Sequence, residues 1–295
     1  MSYRIFTDSC ADLDKAKREE LDIDYVAMSI SVNDRIYRAS LDWEEYSPAE
    51  FYGWMREGTR VFTTQVSAEE FEEKFSPCLD AGDDIIYIGC SSALSGSVVL
   101  AKKIADDLCK KYPERKIAVI DALTSSLGEG YMAIKAAEMK KSGASFDEVV
   151  SYIEENKLCV NQAGTVESLE YLKRAGRVKA PKAFFGNLFA VKPIIISDAK
   201  GNNFAYRQVK GRRTSLRELV REIKENGIGL EDQIIYISHA DAEEDAEFVK
   251  SEIVTEGIVC RGVYTNYIGP IVGASVGPGT IIVFCVGKKV EITGE

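Results

Sequence analysis

The chain has 295 residues, 45% hydrophobic and 28% charged, with a formal net charge of −10 and a pI near 5.0. That length and balance fit two domains, or one large α/β domain, with a sizeable core. The acidic surface excludes nucleic acid as the main partner and stable docking on an anionic membrane, because both need clustered Lys and Arg.

In chain order, residues 3–7 read as a strand, with Asp8-Ser9 and a helix from about Asp12 following. Residues 23–32 and 35–38 read as a hairpin region. Ser47-Pro48-Ala49-Glu50 is a helix start, with Pro at the first helical position and Ser able to cap. Ser67-Ala68-Glu69-Glu70 spells a capping box for the next helix. Residues 84–90 form an apolar, β-branched run, the pattern of a buried parallel strand. A serine-rich loop and a helix to about Tyr112 come next, then a buried strand at 116–120, a long helix through Lys140 and another over 145–156. The alternation predicts a parallel βαβ sheet covered on both faces. A boundary falls near 157–165. Beyond it, strands are expected near 159–165, 192–197, 203–207, 233–238, 258–264 and 280–286, and helices over 213–226 and 242–255. The expected fold class is α/β, with an N-terminal parallel-sheet domain over 1–160 and a smaller α/β domain over 161–295.

No apolar run reaches the ~20 residues of a membrane span, and the N-terminal segment enters a strand without an apolar leader, so a cytoplasmic location is expected. The two basic pairs, Lys110-Lys111 and Arg212-Arg213, read as solvated helix faces. Seven cysteines, Cys10, Cys78, Cys90, Cys109, Cys159, Cys260 and Cys285, are scattered without CxxC spacing and read as reduced thiols. Cys10 and Cys90 each follow a strand close to a candidate loop.

The sequence holds one histidine, His239. Ser-His-Asp or Cys-His catalysis would need that residue as base. The serine-rich loop after the strand lacks GxSxG, no Walker A or GxGxxG occurs in the chain, and carboxylates show no metal-binding spacing, so neither a metal nor a cofactor is expected. What remains are strand-end loops of small residues. Ser91-Ser92-Ala93-Leu94-Ser95-Gly96-Ser97 lies between a buried strand and a helix start, where free N–H groups and the helix dipole favour an anion. Simple N-capping by one serine is the alternative. Thr63-Thr64 precedes the Ser67 helix start. Residues 267–279, with four glycines and two prolines, read as a rigid, tight turn that brings backbone close to something.

Together these segments resemble the DegV family, whose bacterial members include the FakB fatty acid-binding proteins. Thr7-Asp8-Ser9 with Asp12-Leu13 matches the family's start. Thr63-Thr64-Gln65-Val66-Ser67 is similar to its TSQPS segment, and the run 91–97 to its SSxLSGT segment. Residues 168–178 resemble SLExLxxGGRI, Lys192-Pro193-Ile194 its KPI segment, and 268–279 its GPVIGxHxGPG loop. The resemblance implies a long-chain fatty acid held between two α/β domains, with no chemistry done on it by this chain. It places the carboxylate at Thr63, Thr64, Ser91, Ser92, Ser95, Gly96 and Ser275, and the acyl tail or a partner at Arg177, Phe184, Phe185, Phe189 and Ile271. The implied partner is a fatty acid kinase of the FakA type, which phosphorylates the presented carboxylate for phospholipid synthesis. At Ser275 the sequence departs from the pattern, which carries histidine there; serine is a shorter donor that does not titrate near neutrality. The alternative is an enzyme that uses the 91–97 loop for phosphoryl or acyl transfer on a small substrate, and a base beside the serines would mark it.

Overall fold

The computed structural model describes residues 2–181, 184 and 191–294. The chain begins with β1 (Tyr3–Asp8), α1 (Lys15–Leu21) and β2 (Ile23–Val26), then β3 (Met28–Val32), β4 (Arg35–Ala39), α2 (Pro48–Arg56), β5 (Val61–Thr64) and α3 (Ala68–Asp80). It continues through β6 (Asp84–Gly89), α4 (Ser97–Lys111), β7 (Ile117–Asp121), α5 (Leu127–Lys141) and α6 (Phe146–Asn156). The second half runs β8 (Val160–Thr165), α7 (Glu170–Ala175), β9 (Val191–Ser197), β10 (Asn203–Lys210), α8 (Arg212–Asn226), β11 (Ile234–His239), α9 (Glu243–Thr255), β12 (Gly262–Tyr267), α10 (Pro270–Val276) and β13 (Ile281–Val286).

The first sheet is parallel, in the order β2-β1-β6-β7. Every residue of β6 is buried, so both its faces are covered, as its unbroken apolar run predicts. Beside it, β4-β3-β5 form a small antiparallel sheet. The expected hairpin at 23–38 is therefore split. Its first piece pairs parallel to β1, and only β3 and β4 make the hairpin.

The third sheet has six strands, in the order β10-β9-β8-β13-β11-β12, antiparallel except for β11 with β12. Its side chains alternate between two cores. Ile235, Ile237, Ile281 and Val283 face Leu216, Leu219, Val220 and Ile223 of α8. Their neighbours Tyr236, Ile282 and Phe284 join the large core shared with the first half. Helix α5 lies at that junction, in contact with β1 and β6 of one sheet and β8 and β11 of the other. Two glycines permit this. A Cβ on Gly128 would sit 3.0 Å from the Phe284 ring, and one on Gly130 would sit 2.5 Å from the Ala11 carbonyl.

Four sequence expectations change. The glycine-rich stretch after Tyr267 contains α10, capped by Gly269, with Pro270 at its first position. Only its tail turns sharply, at Gly277 and Gly279, both with positive φ. The strand expected at 258–264 begins at Gly262, because α9 ends in a turn at Gly257 that returns the Ile258 N–H to Ile253. Segments 61–64 and 170–175, not read as regular, form β5 and α7. Ser67 caps α3 through the Glu70 N–H, but the Glu70 carboxylate does not complete the box. It accepts instead from Ala27 N–H and from Arg38.

The two halves are tied by buried polar groups centred on Asp12. Its Oδ2 accepts the Ser126 hydroxyl at 2.5 Å, its Oδ1 accepts the Gly269 N–H at 2.8 Å, and its carbonyl accepts from Asn266. Burial pushes this carboxyl up to about 7, against the pull of those two donors. Its φ of 52° is left-handed, a region Asp tolerates better than most residues. Replacing Asp12 with Ala strands the Gly269 N–H, leaves the Ser126 hydroxyl short of an acceptor and adds backbone strain. The expected loss is about 3 kcal/mol, read from urea unfolding; a loss under about 1 kcal/mol would contradict the assigned role.

Candidate functional site

From β1 the chain passes to β2 on one side, whereas from β6 it passes to β7 on the other. The loops leaving these neighbouring strands part and open a crevice at their carboxyl ends, where open α/β sheets bind ligands. Asp8 holds the crevice in register. Its Oδ1 accepts Cys10 N–H at 2.8 Å, and its Oδ2 accepts Cys90 N–H at 3.0 Å and the Tyr87 hydroxyl at 2.8 Å.

A pocket of about 640 Å³, counting the space at its mouth, opens here. The buried part of its lining is mostly apolar, with Cys10, Met28, Cys90, Ile271, Val272 and Val276, and also includes the polar Ser125 and Asn203. The more exposed part includes Thr63, Thr64, Gln65, Ser95, Gly96 and Ser275, so polar groups collect where the pocket meets water. Helix α4 starts at this polar end. Its N-cap, Gly96, supplies no side-chain cap; Ser95 Oγ accepts the Ser97 N–H at 3.3 Å and pairs with the Ser97 hydroxyl at 3.0 Å, and the helix presents the positive end of its dipole here. A Cβ at Gly96 would lie 2.0 Å from Gln65 Oε1, the end of an exposed side chain that can move aside.

The pocket brings together Thr63, Thr64, Ser95, Gly96, Ser275, Arg177 and Ile271 of the residues expected from sequence. Arg177 is anchored through Nε to the Leu94 carbonyl at 3.2 Å and through Nη1 to the Ala175 carbonyl. Ser275 donates weakly back to Ile271 O at 3.5 Å. Ser91 and Ser92 are not part of the lining. Ser91 is fully buried, donates to the Gly201 carbonyl at 2.8 Å and accepts from Ala93 N–H, which pins the loop to the second half. Ser92 is exposed, and its N–H reaches Asp121. Phe184 packs against the large core away from the pocket lining, and Phe185 and Phe189 lie outside the described residues. Sequence reasoning missed Gln65, Met28, Ser125 and Asn203 as lining residues. Gln65 stood inside a quoted segment; the other three carry no local signal.

Against this geometry, a family model described as "Uncharacterised protein, DegV family" matches residues 2–288. The chain belongs to the DegV family. A DegV domain-containing protein of Clostridium perfringens is 36% identical over 289 residues, spanning 98% of this chain and 99% of its own. A solved DegV family protein from Thermus thermophilus, described by its fatty acid binding, superposes with TM-score 0.88 at 27% identity, covering 98% of this chain and 100% of that one. A stearic acid-binding protein from Eubacterium ventriosum gives TM-score 0.85 at 25% identity, covering 97% and 99%. DegV architecture thus accounts for the whole arrangement, the small antiparallel sheet and the six-stranded sheet included. No helix among the described residues is long and apolar enough to cross a membrane.

In this DegV chain the single histidine sits away from the loop serines. His239 Nδ1 accepts the Ala242 N–H at 3.3 Å, its ring packs on Tyr267, and among the described residues no hydrogen bond joins it to Ser91, Ser92 or Ser95. Burial holds its pKa below the usual 6.5, against the opposing fields of Glu243 and Asp241. A depressed histidine is protonated more readily in the unfolded chain. Its contribution to stability is complete above pH 6.5 and is lost as pH falls toward the folded value. Buried carboxyls titrate with the opposite sign, so the test is a difference. The stability of the wild type relative to His239→Gln should shrink as pH drops below about 6.5, measured by urea unfolding across that range. A constant difference would mean the ring is not held neutral.

Proposed function

We propose that this protein binds a long-chain fatty acid in the strand-end pocket and presents its carboxylate, at the Ser95-Gly96 end, to a fatty acid kinase that forms the acyl phosphate. The observation that carries the reading is the polarity of one pocket, with a mostly apolar buried part and hydroxyls plus the N-terminus of α4 at its mouth. A carboxylate with a hydrocarbon tail satisfies both ends. The relatives described as fatty acid- and stearic acid-binding support it. Residues 1–160 then supply most of the carboxylate end and 161–295 cover the tail, and the protein works in the cytoplasm.

The tail dominates affinity. About fifteen methylenes at ~0.8 kcal/mol each give on the order of 12 kcal/mol gross, much of it cancelled by ordering and lost translational freedom. A helix terminus adds about 0.3–2 kcal/mol for the carboxylate, enough to orient it. The protein itself does no chemistry in this reading. Its only histidine is engaged elsewhere, and the two pocket thiols have raised pKa values: Cys10 through its hydrogen bond with Cys90 and burial, Cys90 through burial despite that bond.

Mass spectrometry of an organic extract of the purified protein is expected to find a long-chain fatty acid. No lipid, together with no uptake of added oleate or palmitate, would overturn the proposal. Ser95→Ala is expected to lower acyl-phosphate formation with a fatty acid kinase and ATP by about tenfold, the value of one hydrogen bond to a charged group, while changing fatty acid affinity by much less. Equal losses in the two assays would remove Ser95 from the head-group role.

A further inference from the structure

The buried end of the pocket carries a cluster of sulfur and carboxyl atoms whose donor capacity a hydrocarbon tail would leave unused. Because Asp8 holds the N–H groups of both Cys10 and Cys90, their side chains leave adjacent strand ends side by side. Their Sγ atoms and a carboxylate oxygen of Glu129 all lie within 4.8 Å of one another. Met28 adds a third sulfur, its Sδ 3.9 Å from Cys10 Sγ. All four side chains are buried, Glu129 completely. Glu129 Oε1 accepts the Thr7 hydroxyl at 2.7 Å, but Oε2, equally buried, has no hydrogen-bond partner among the described residues. A buried carboxylate oxygen left without a donor is costly, and a cation among these groups would satisfy it.

Two thiols and a thioether form a soft donor set, with one carboxyl oxygen beside it. Thiolates suit Cu(I) and zinc alike, but zinc takes Cys, His and carboxylate ligands, so the Met28 thioether is what favours Cu(I). We propose that Cys10, Cys90 and Met28, with Glu129 beside them, form a Cu(I)-binding site at the buried end of the pocket. Both thiols release their protons to solvent as the ion enters, since the thiolate is the ligand. The route in is the pocket itself, which Cys10, Cys90 and Met28 all line. The ligands come from three separate strand ends and a helix, so no CxxC or histidine spacing marks the site in the sequence. The inference rests on this geometry and holds whether or not the pocket takes a lipid.

The test uses the full-length, reduced, delipidated protein, titrated with Cu(I) without oxygen against a chromogenic Cu(I) chelator. One Cu(I) per chain should be withheld. Cys10→Ser and Cys90→Ser should each lower the chelator concentration that removes half of it by about tenfold or more, the range for losing even a supporting group. Met28→Leu should lower it less. Cys109→Ser and Cys260→Ser should leave it unchanged. A second readout needs no variant: alkylation of the wild type, scored for each cysteine by mass spectrometry, should show Cys10 and Cys90 protected by the metal. Cu(I) fully surrendered to the chelator, retention of Zn²⁺ but not Cu(I), or protection that falls on other cysteines would each overturn the site.

Discussion

The structure turns on one buried carboxylate. Asp8 ends the first strand, and its two oxygens take three donors, two of them backbone N–H groups from loops that leave neighbouring strands. Burial alone raises its pKa, while those donors pull the other way. Without this bridge the loops after β1 and β6 would have no common reference where the sheet changes direction. The pocket, the start of α4 and the cysteine pair all take their positions from it. Nearby, burial and then the proximity of Asp8 push the Glu129 carboxyl up more strongly.

Around that point the chain builds a site from surfaces of different kinds. The first sheet contributes strand ends, the small antiparallel sheet contributes Thr63 and Thr64, and the second half contributes α10 and Arg177. The division of labour follows from burial. Most groups inside the junction are apolar or have their polar atoms paired, as with Ser91 and Gly201, whereas Glu129 Oε2 is left without a partner among the described residues. Groups at the surface keep hydroxyls and N–H groups available for a ligand.

Much of this could be read from the residues. The unbroken apolar run before Cys90 identified a central parallel strand, Ser47-Pro48 a helix start, and the small residues after Cys90 an anion-favouring helix terminus. What could not be read was which serine faces where. Ser91 and Ser95 are indistinguishable by composition, yet a carbonyl from residue 201 claims one and leaves the other at the pocket. Helix α10 was hidden by glycines and prolines that ordinarily signal a turn; here Gly273 packs against Tyr52, where a larger residue would collide. Glu70 was hidden for the same reason as Ser91, because a partner distant in sequence, Arg38, outcompeted the local cap. Local chemistry set the elements, and long-range pairing decided the roles of the residues between them.

The pocket walls come from positions as far apart as Cys10 and Val276. No local stretch of chain carries a partial binding surface, so only the completed molecule has anything to bind. A bound molecule therefore draws on the global folding equilibrium and, by mass action, protects the whole chain: saturation at a hundred times Kd adds about 2.7 kcal/mol. The reverse also holds. A lesion in α8 or in the far edge of the six-stranded sheet, remote from every lining residue, would surface as weakened binding once it unfolds an appreciable fraction of molecules. Affinity in this architecture is a sensitive gauge of foldedness, and variation across the chain will be felt first at the pocket.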